Sequence, residues 1–142
     1  GLDGTGKMGK SEGNCLYLCD DEKTVTKKIM RAVTDQGPTQ LNQEKPEVIQ
    51  NLFTLCELLS GKEAADYYND LYNNMQIRYG DMKKQMAADA NALLAPIRER
   101  ILAYSSDNAL LDRIMRQGAE KAAARAEKTI EEVREIIGFR KI

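Results

Sequence analysis

Apolar residues recur every three or four positions along most of the chain, and this spacing predicts helices. Val25, Ile29, Ala32 and Val33 form a first stripe. Asp20 serves as its expected N-cap, with Asp21 and Glu22 at the positive end of the helix. From Pro46 onward, Val48, Ile49, Leu52, Phe53, Leu55, Cys56, Leu58 and Leu59 cover most of a helical circumference. Such a helix is expected to be buried and to form the hydrophobic centre. Ser60 and Glu63 have capping-box spacing and open a third helix carrying Ala64, Tyr67, Tyr68, Leu71, Tyr72 and Met75. Its tyrosines suit a half-buried core better than a base-stacking platform.

The stretch 78–81 breaks the pattern, with Asp81 as the next N-cap. A long helix then carries Met82, Met86, Ala90, Leu94, Ile97, Ile101 and Tyr104. Pro96 removes a hydrogen bond to the carbonyl of Ala92, which predicts a kink. After an N-cap cluster at Ser105, Ser106 and Asp107, a last helix runs to Ile137, with Gly138 as its stop. Small residues in the middle of its stripe (Gly118, Ala119, Ala122, Ala126) predict close antiparallel packing against the 82–104 helix. Only residues 15–19 read as a strand, and a short one. The expected fold is mainly α: a helical bundle of about five helices, preceded by a loop and one short strand. Residues 1–19 form the loop-and-strand part and 20–142 the helical domain.

The 142 residues are enough for one domain, and 42% hydrophobic with 30% charged is an ordinary balance. A net charge of −1 gives no general nucleic-acid footprint, so any RNA contact is a local patch. Lys23, Lys27, Lys28 and Arg31 are one such set, readable as phosphate contacts or as a solvated face. No apolar run approaches membrane-spanning length, and no signal peptide is visible. The sequence contains no histidine, which excludes a His triad, a His general base and any His-ligated metal within the chain. Cys15, Cys19 and Cys56 are too few for a four-thiolate zinc site. They read as core thiols of a reducing cytoplasm, with Cys15 and Cys19 on one strand face.

The candidate chemistry lies in Gly4-Thr5-Gly6-Lys7-Met8-Gly9-Lys10-Ser11-Glu12-Gly13-Asn14. Glycines let backbone approach a ligand closely, and lysines three apart can converge on one anion. Two motifs share these letters. Gly4 to Ser11 fits the P-loop spacing, which needs a strand before it and a helix from Lys10. Lys7-Met8-Gly9-Lys10-Ser11, with Gly13-Asn14 following, resembles the Lys-Met-Ser-Lys-Ser signature of class I aminoacyl-tRNA synthetases, with Gly9 in place of the first serine. The lead-in from Gly1 to Gly4 resembles that of the tryptophanyl enzymes.

Further stretches resemble tryptophanyl-tRNA synthetases: 29–35, 79–84 continuing to 94–100, and 118–122 with Ala126 and Val133. The resemblance spans residues 1 to about 138 and implies the C-terminal portion of a longer enzyme. It implies a tryptophan–tRNA ligase that uses ATP, with Mg2+ carried by the nucleotide and no metal bound by this chain. Lys7 and Lys10 would be the catalytic cations. Met8, Gly9 and Ser11 would join them in holding the triphosphate. The helical domain would recognise the tRNA anticodon, and Arg78, Lys83 and Lys84 are the candidate contacts. The tryptophan pocket would lie mostly upstream, the parent would be a cytoplasmic homodimer without membrane attachment, and the chain alone would be inactive. The alternatives are a tyrosyl-tRNA synthetase fragment and a P-loop NTPase fragment. A structural helical adaptor with a disordered glycine-lysine tail is a third class.

Overall fold

The computed structural model describes residues 1–139. It has five helices and, among the described residues, no strand: α1 (Glu22–Met30), α2 (Glu47–Ser60), α3 (Lys62–Asn73), α4 (Tyr79–Ser106) and α5 (Asn108–Ile136). Two compact units divide the chain, Gly1–Glu99 and Arg100–Ile142.

The first unit holds the hydrophobic core. Val25 and Ile29 of α1, Leu52 and Cys56 of α2, Ala65 and Tyr68 of α3, and Met82, Met86 and Ala90 of α4 bury one shared cluster. Each large side chain fully withdrawn from water contributes about 1.5–3 kcal/mol. The N-cap of α1 is Asp21, not Asp20: its carboxylate accepts from the Thr24 amide at 2.7 Å. Asp20 instead closes a turn, accepting from the Tyr17 amide at 2.9 Å and pairing with Lys28 at 2.6 Å. That turn replaces the expected strand at 15–19. A strand needs a ladder partner, and none is present among the described residues. Cys15 is therefore buried while Cys19 is exposed.

Helix α2 is amphipathic rather than buried all round: Ile49, Leu52 and Cys56 face inward, whereas Leu58 is 72% exposed. Burial pushes the Cys56 thiol up to about 11. Gly61 joins α2 to α3 at φ 86°, a left-handed conformation that favours glycine. This joint, rather than a Ser60 capping box, separates the two helices; no side chain caps α3. Phe53 and Tyr72 meet edge to face at 5.9 Å across the helix pair. The Lys45 ammonium lies 4.6 Å from the Tyr72 ring centre and donates to Asn69 Oδ1 at 2.6 Å.

Helix α4 begins at Tyr79, so Asp81 lies in its first turn instead of capping it, and the helix runs through Pro96. In the second unit, Asp107 caps α5 by accepting from the Leu110 amide at 2.9 Å, and Gly138 ends it at φ 77°. No residue of α5 is buried, its expected small-residue seam included. The stripe that predicted the seam contains Met115 at 70% and Ile130 at 46% exposure.

Candidate functional site

The loop of residues 1–14 belongs to the first unit and is fixed to it by backbone. The Val33 amide, just past α1, donates to Leu2 O at 2.9 Å. The Leu2 amide donates to Asn14 O at 3.1 Å. Gly4 packs where a Cβ would stand 2.9 Å from Val48 Cγ2 of α2, and its φ is +85°. Both the space and the backbone conformation demand glycine there.

Inside the loop one carboxamide organises the chain. Asn14 is 6% exposed, and its Oδ1 accepts from the Gly9 amide at 2.8 Å. Its Nδ2 lies 2.9 Å from Asp3 Oδ1, 3.0 Å from Thr5 Oγ1 and 3.2 Å from Lys7 O. Asp3 Oδ1 also accepts from the Thr5 hydroxyl at 2.7 Å and the Thr5 amide at 3.1 Å. Bonds from Thr5 first, then from Asn14, hold the Asp3 carboxyl down at about 2. Asp3, Thr5 and Asn14 were not singled out from sequence as site residues. Their signal is chemical: short polar side chains that bond local backbone, spaced among glycines.

The signature side chains sit on this frame. Lys7, Lys10 and Ser11 are exposed and Met8 is 37% exposed. Among the described residues neither Lys7 nor Lys10 forms an ion pair. The Gly9 amide is engaged by Asn14, while a Cβ at Gly9 would meet Glu12 Cγ at 3.1 Å. Residues 10–13 are turn, and no helix starts before Glu22, so the helix that a P-loop requires from Lys10 is missing.

An open cleft of about 500 Å³ separates the loop from α1. Asp3, Glu12 and Asn14 line one wall, and Lys27, Lys28 and Arg31 the other. Lys28 is held by Asp20 and lies 4.6 Å from the Tyr17 ring centre. Lys27 and Arg31, one helical turn apart, are exposed toward the cleft.

At the start of α4 the three candidate RNA contacts part company. Arg78 and Lys84 are exposed and pair with Asp81 at 3.3 and 3.7 Å. Lys83 is 7% exposed; its ammonium donates to Ala32 O at 2.6 Å, and burial lowers its pKa. The same helix start is fixed by the Tyr79 hydroxyl, which donates to Asp35 Oδ1 at 2.8 Å. No group of three or more His, Cys, Asp or Glu side chains among the described residues could hold a metal ion.

Residues 1–95 match the family model of class I tRNA synthetases for tryptophan and tyrosine. The chain belongs to this family. Members similar to it include the tryptophan–tRNA ligase of Porphyromonas gingivalis, 58% identical over 140 residues, which cover 99% of this chain and 43% of that protein. The tryptophan–tRNA ligase of Prochlorococcus marinus is 39% identical over 142 residues, covering 96% of this chain and 41% of that protein. That of Streptococcus pyogenes is 38% identical over 144 residues, covering 98% and 42%. The chain thus spans about two-fifths of the length of the curated relatives it matches. Within the family match lie the loop, α1 to α3 and the buried part of α4.

Proposed function

We propose that this chain is part of a cytoplasmic tryptophan–tRNA ligase and carries its phosphate-binding loop and its anticodon-recognition helices. The observation that carries the reading is the pair Lys7 and Lys10: exposed, without an ion pair among the described residues, and presented by a loop whose backbone is pinned. The chemistry is the one that the resemblance to tryptophan–tRNA ligases implies. A tryptophan carboxylate oxygen attacks the α-phosphorus of ATP, and the bond to the bridging oxygen of the leaving pyrophosphate breaks. Negative charge grows on the pyrophosphate, and a positioned cation stabilises it more in the transition state than in the ground state. Lys10 is assigned that role, with Lys7 beside it. The amides of Met8, Lys10 and Ser11, which have no acceptor among the described residues, and the Ser11 hydroxyl are further donors. Mg2+ enters with the nucleotide. A hydroxyl of the tRNA's terminal ribose then attacks the aminoacyl carbonyl, the bond to the adenylate phosphate breaks, and AMP leaves.

The tryptophan pocket is assigned to residues outside these 142, and the active form to a homodimer. For the tRNA, Arg78 and Lys84 remain exposed at the start of α4, while the Lys83 ammonium is engaged with Ala32 O. Lys27 and Arg31 offer a second basic face across the cleft. This 142-residue chain alone is expected to form no tryptophanyl-tRNA, and detecting it with the purified chain would overturn the assignment.

The decisive experiment is ATP–pyrophosphate exchange by the full-length ligase with tryptophan and, separately, tyrosine. Exchange with tryptophan only, reduced about 10²–10³-fold by Lys10→Ala, is expected. Exchange with tyrosine moves the protein to the tyrosyl branch. No exchange with either removes the ligase reading.

A further inference from the structure

A carboxamide offers two donor hydrogens and one acceptor oxygen, and a buried one must satisfy them. Asn14 does so entirely within the signature loop. Its oxygen takes the amide of Gly9 and its nitrogen reaches the carbonyl of Lys7, so one side chain grips the backbone on both sides of Met8. The same nitrogen contacts Asp3 and Thr5, and the Asn14 carbonyl takes the Leu2 amide. Leu2 in turn accepts from Val33 at the end of α1. A continuous chain of hydrogen bonds therefore runs from the helical core to the backbone that carries Lys7.

We infer that Asn14 is a positioning residue for the loop's phosphate chemistry: it clamps residues 7–9 so that Lys7 and the amides after Gly9 are presented to the nucleotide in one arrangement. It touches no reacting atom. Without it the loop samples many conformations, and ATP binding carries the cost of ordering them. The kinetic part of this inference rests on the ligase reading above; the structural part does not.

The chemistry of the clamp is specific. Asn14→Asp keeps an acceptor for Gly9 but sets a second carboxylate against Asp3, whose Oδ1 lies 2.9 Å from Asn14 Nδ2. Adding Asp3→Asn reverses the pair. The like-charge contact is then removed and the acceptor for Gly9 retained, but Lys7 O loses the donor at 14, and the position of Asp3 Oδ1 cannot both donate to residue 14 and accept from Thr5. A side chain that merely fills space would gain nothing from this reversal.

The test follows two readouts. In this chain, hydrogen exchange of the Gly9 amide is measured by NMR. In the full-length ligase, tryptophan-dependent ATP–pyrophosphate exchange gives separate KM values for ATP and tryptophan. Asn14→Asp is expected to speed Gly9 exchange and raise the ATP KM by about tenfold each, the loss of roughly one hydrogen bond to a buried group. The tryptophan KM should stay within about twofold, and the double variant, relieved of the like-charge contact but still without the donor from 14 to Lys7 O, should recover both readouts in part. Thr5→Val, at an exposed site, should move both in the same direction by less, and it decides the matter should Asn14→Asp not fold. Unchanged Gly9 exchange and ATP KM in the folded variants would overturn the inference. So would a reversed pair no better than Asn14→Asp. Absence of pyrophosphate exchange by the wild-type ligase would instead remove the ligase reading, leaving Gly9 exchange to decide the clamp.

Discussion

Two pairs of lysines in this molecule do opposite things. Lys7 and Lys10 stand exposed on a loop whose backbone is held by Asn14, Asp3 and Thr5. Lys83 and Lys84 stand at the start of α4, where one is buried on a main-chain carbonyl and the other shares Asp81 with Arg78. In the loop Asn14 holds the Gly9 amide and the Lys7 carbonyl, and neither Lys7 nor Lys10 forms an ion pair among the described residues. In the helix the main chain satisfies itself, and a cation is used to join elements. An unpaired exposed ammonium on a fixed backbone is available to a ligand at no cost in broken contacts. A buried ammonium is not, because removing it leaves its acceptor without a partner. The difference separates candidate chemistry from architecture among residues of one type.

The largest stability change that would break this contrast is in the loop's anchorage. Gly4→Ala places a methyl group near Val48 in a left-handed conformation, and about 2 kcal/mol or more of destabilisation is expected by urea denaturation. Pyrophosphate exchange by the full-length ligase should fall with it. An unaltered midpoint would show that the loop is not seated on α2. Next comes Lys83→Met, which keeps the apolar stem and deletes the ammonium. It should cost about 1–3 kcal/mol in the same measurement and leave tRNA affinity unchanged in the folded fraction. A neutral effect on stability with weakened tRNA binding would reverse the assignment of Lys83.

Arg78→Ala and Lys84→Ala should each move stability by no more than about 0.5 kcal/mol, as exposed pairs do. Their effect should appear in tRNA affinity and grow weaker as salt is raised. The smallest effect is titrational. Asp3 has a folded pKa of about 2, against an ordinary value of 3.8. A depressed carboxylate favours the folded loop above its unfolded pKa and loses that contribution as pH falls through the folded value. Carboxyl chemical shifts should therefore place the Asp3 midpoint near pH 2, with Gly9 amide protection declining between about pH 4 and 2. Asp3→Asn should abolish that titration.

The helices were legible because apolar periodicity survives in a single sequence: Val25 with Ile29, and Met86 with Ala90 and Leu94, all face the core. The expected burial of α2 on all sides overreached. Composition around a helix does not say which part of the circumference finds a partner, and Leu58 stays exposed. Asp20 and Asp21 are adjacent and equally good caps, and only the turn at Tyr17 distinguishes them. Lys83 had a readable signal in its spacing, since it shares a face with Met86, Ala87 and Ala90. Charge type argued for the surface and spacing argued for the core, and spacing was the better guide. In the loop, the letters 7–11 announced the candidate ligand contacts. The frame that presents them joins Asp3 to Asn14 across eleven positions, and such pairing is set by tertiary structure.

Helix α5 has a thermodynamic consequence of its own. None of its 29 residues is buried, and within its own unit it is supported by propensity, its Asp107 cap and local pairs such as Lys128 with Glu132. A helix held this way obeys helix–coil statistics: it frays from both ends and loses order gradually on heating. The core of the first unit, whose helices bury one another, should melt in a single sigmoid. Circular dichroism of the chain should accordingly show a sloping loss of ellipticity beneath one cooperative step, and the slope is the signature of α5.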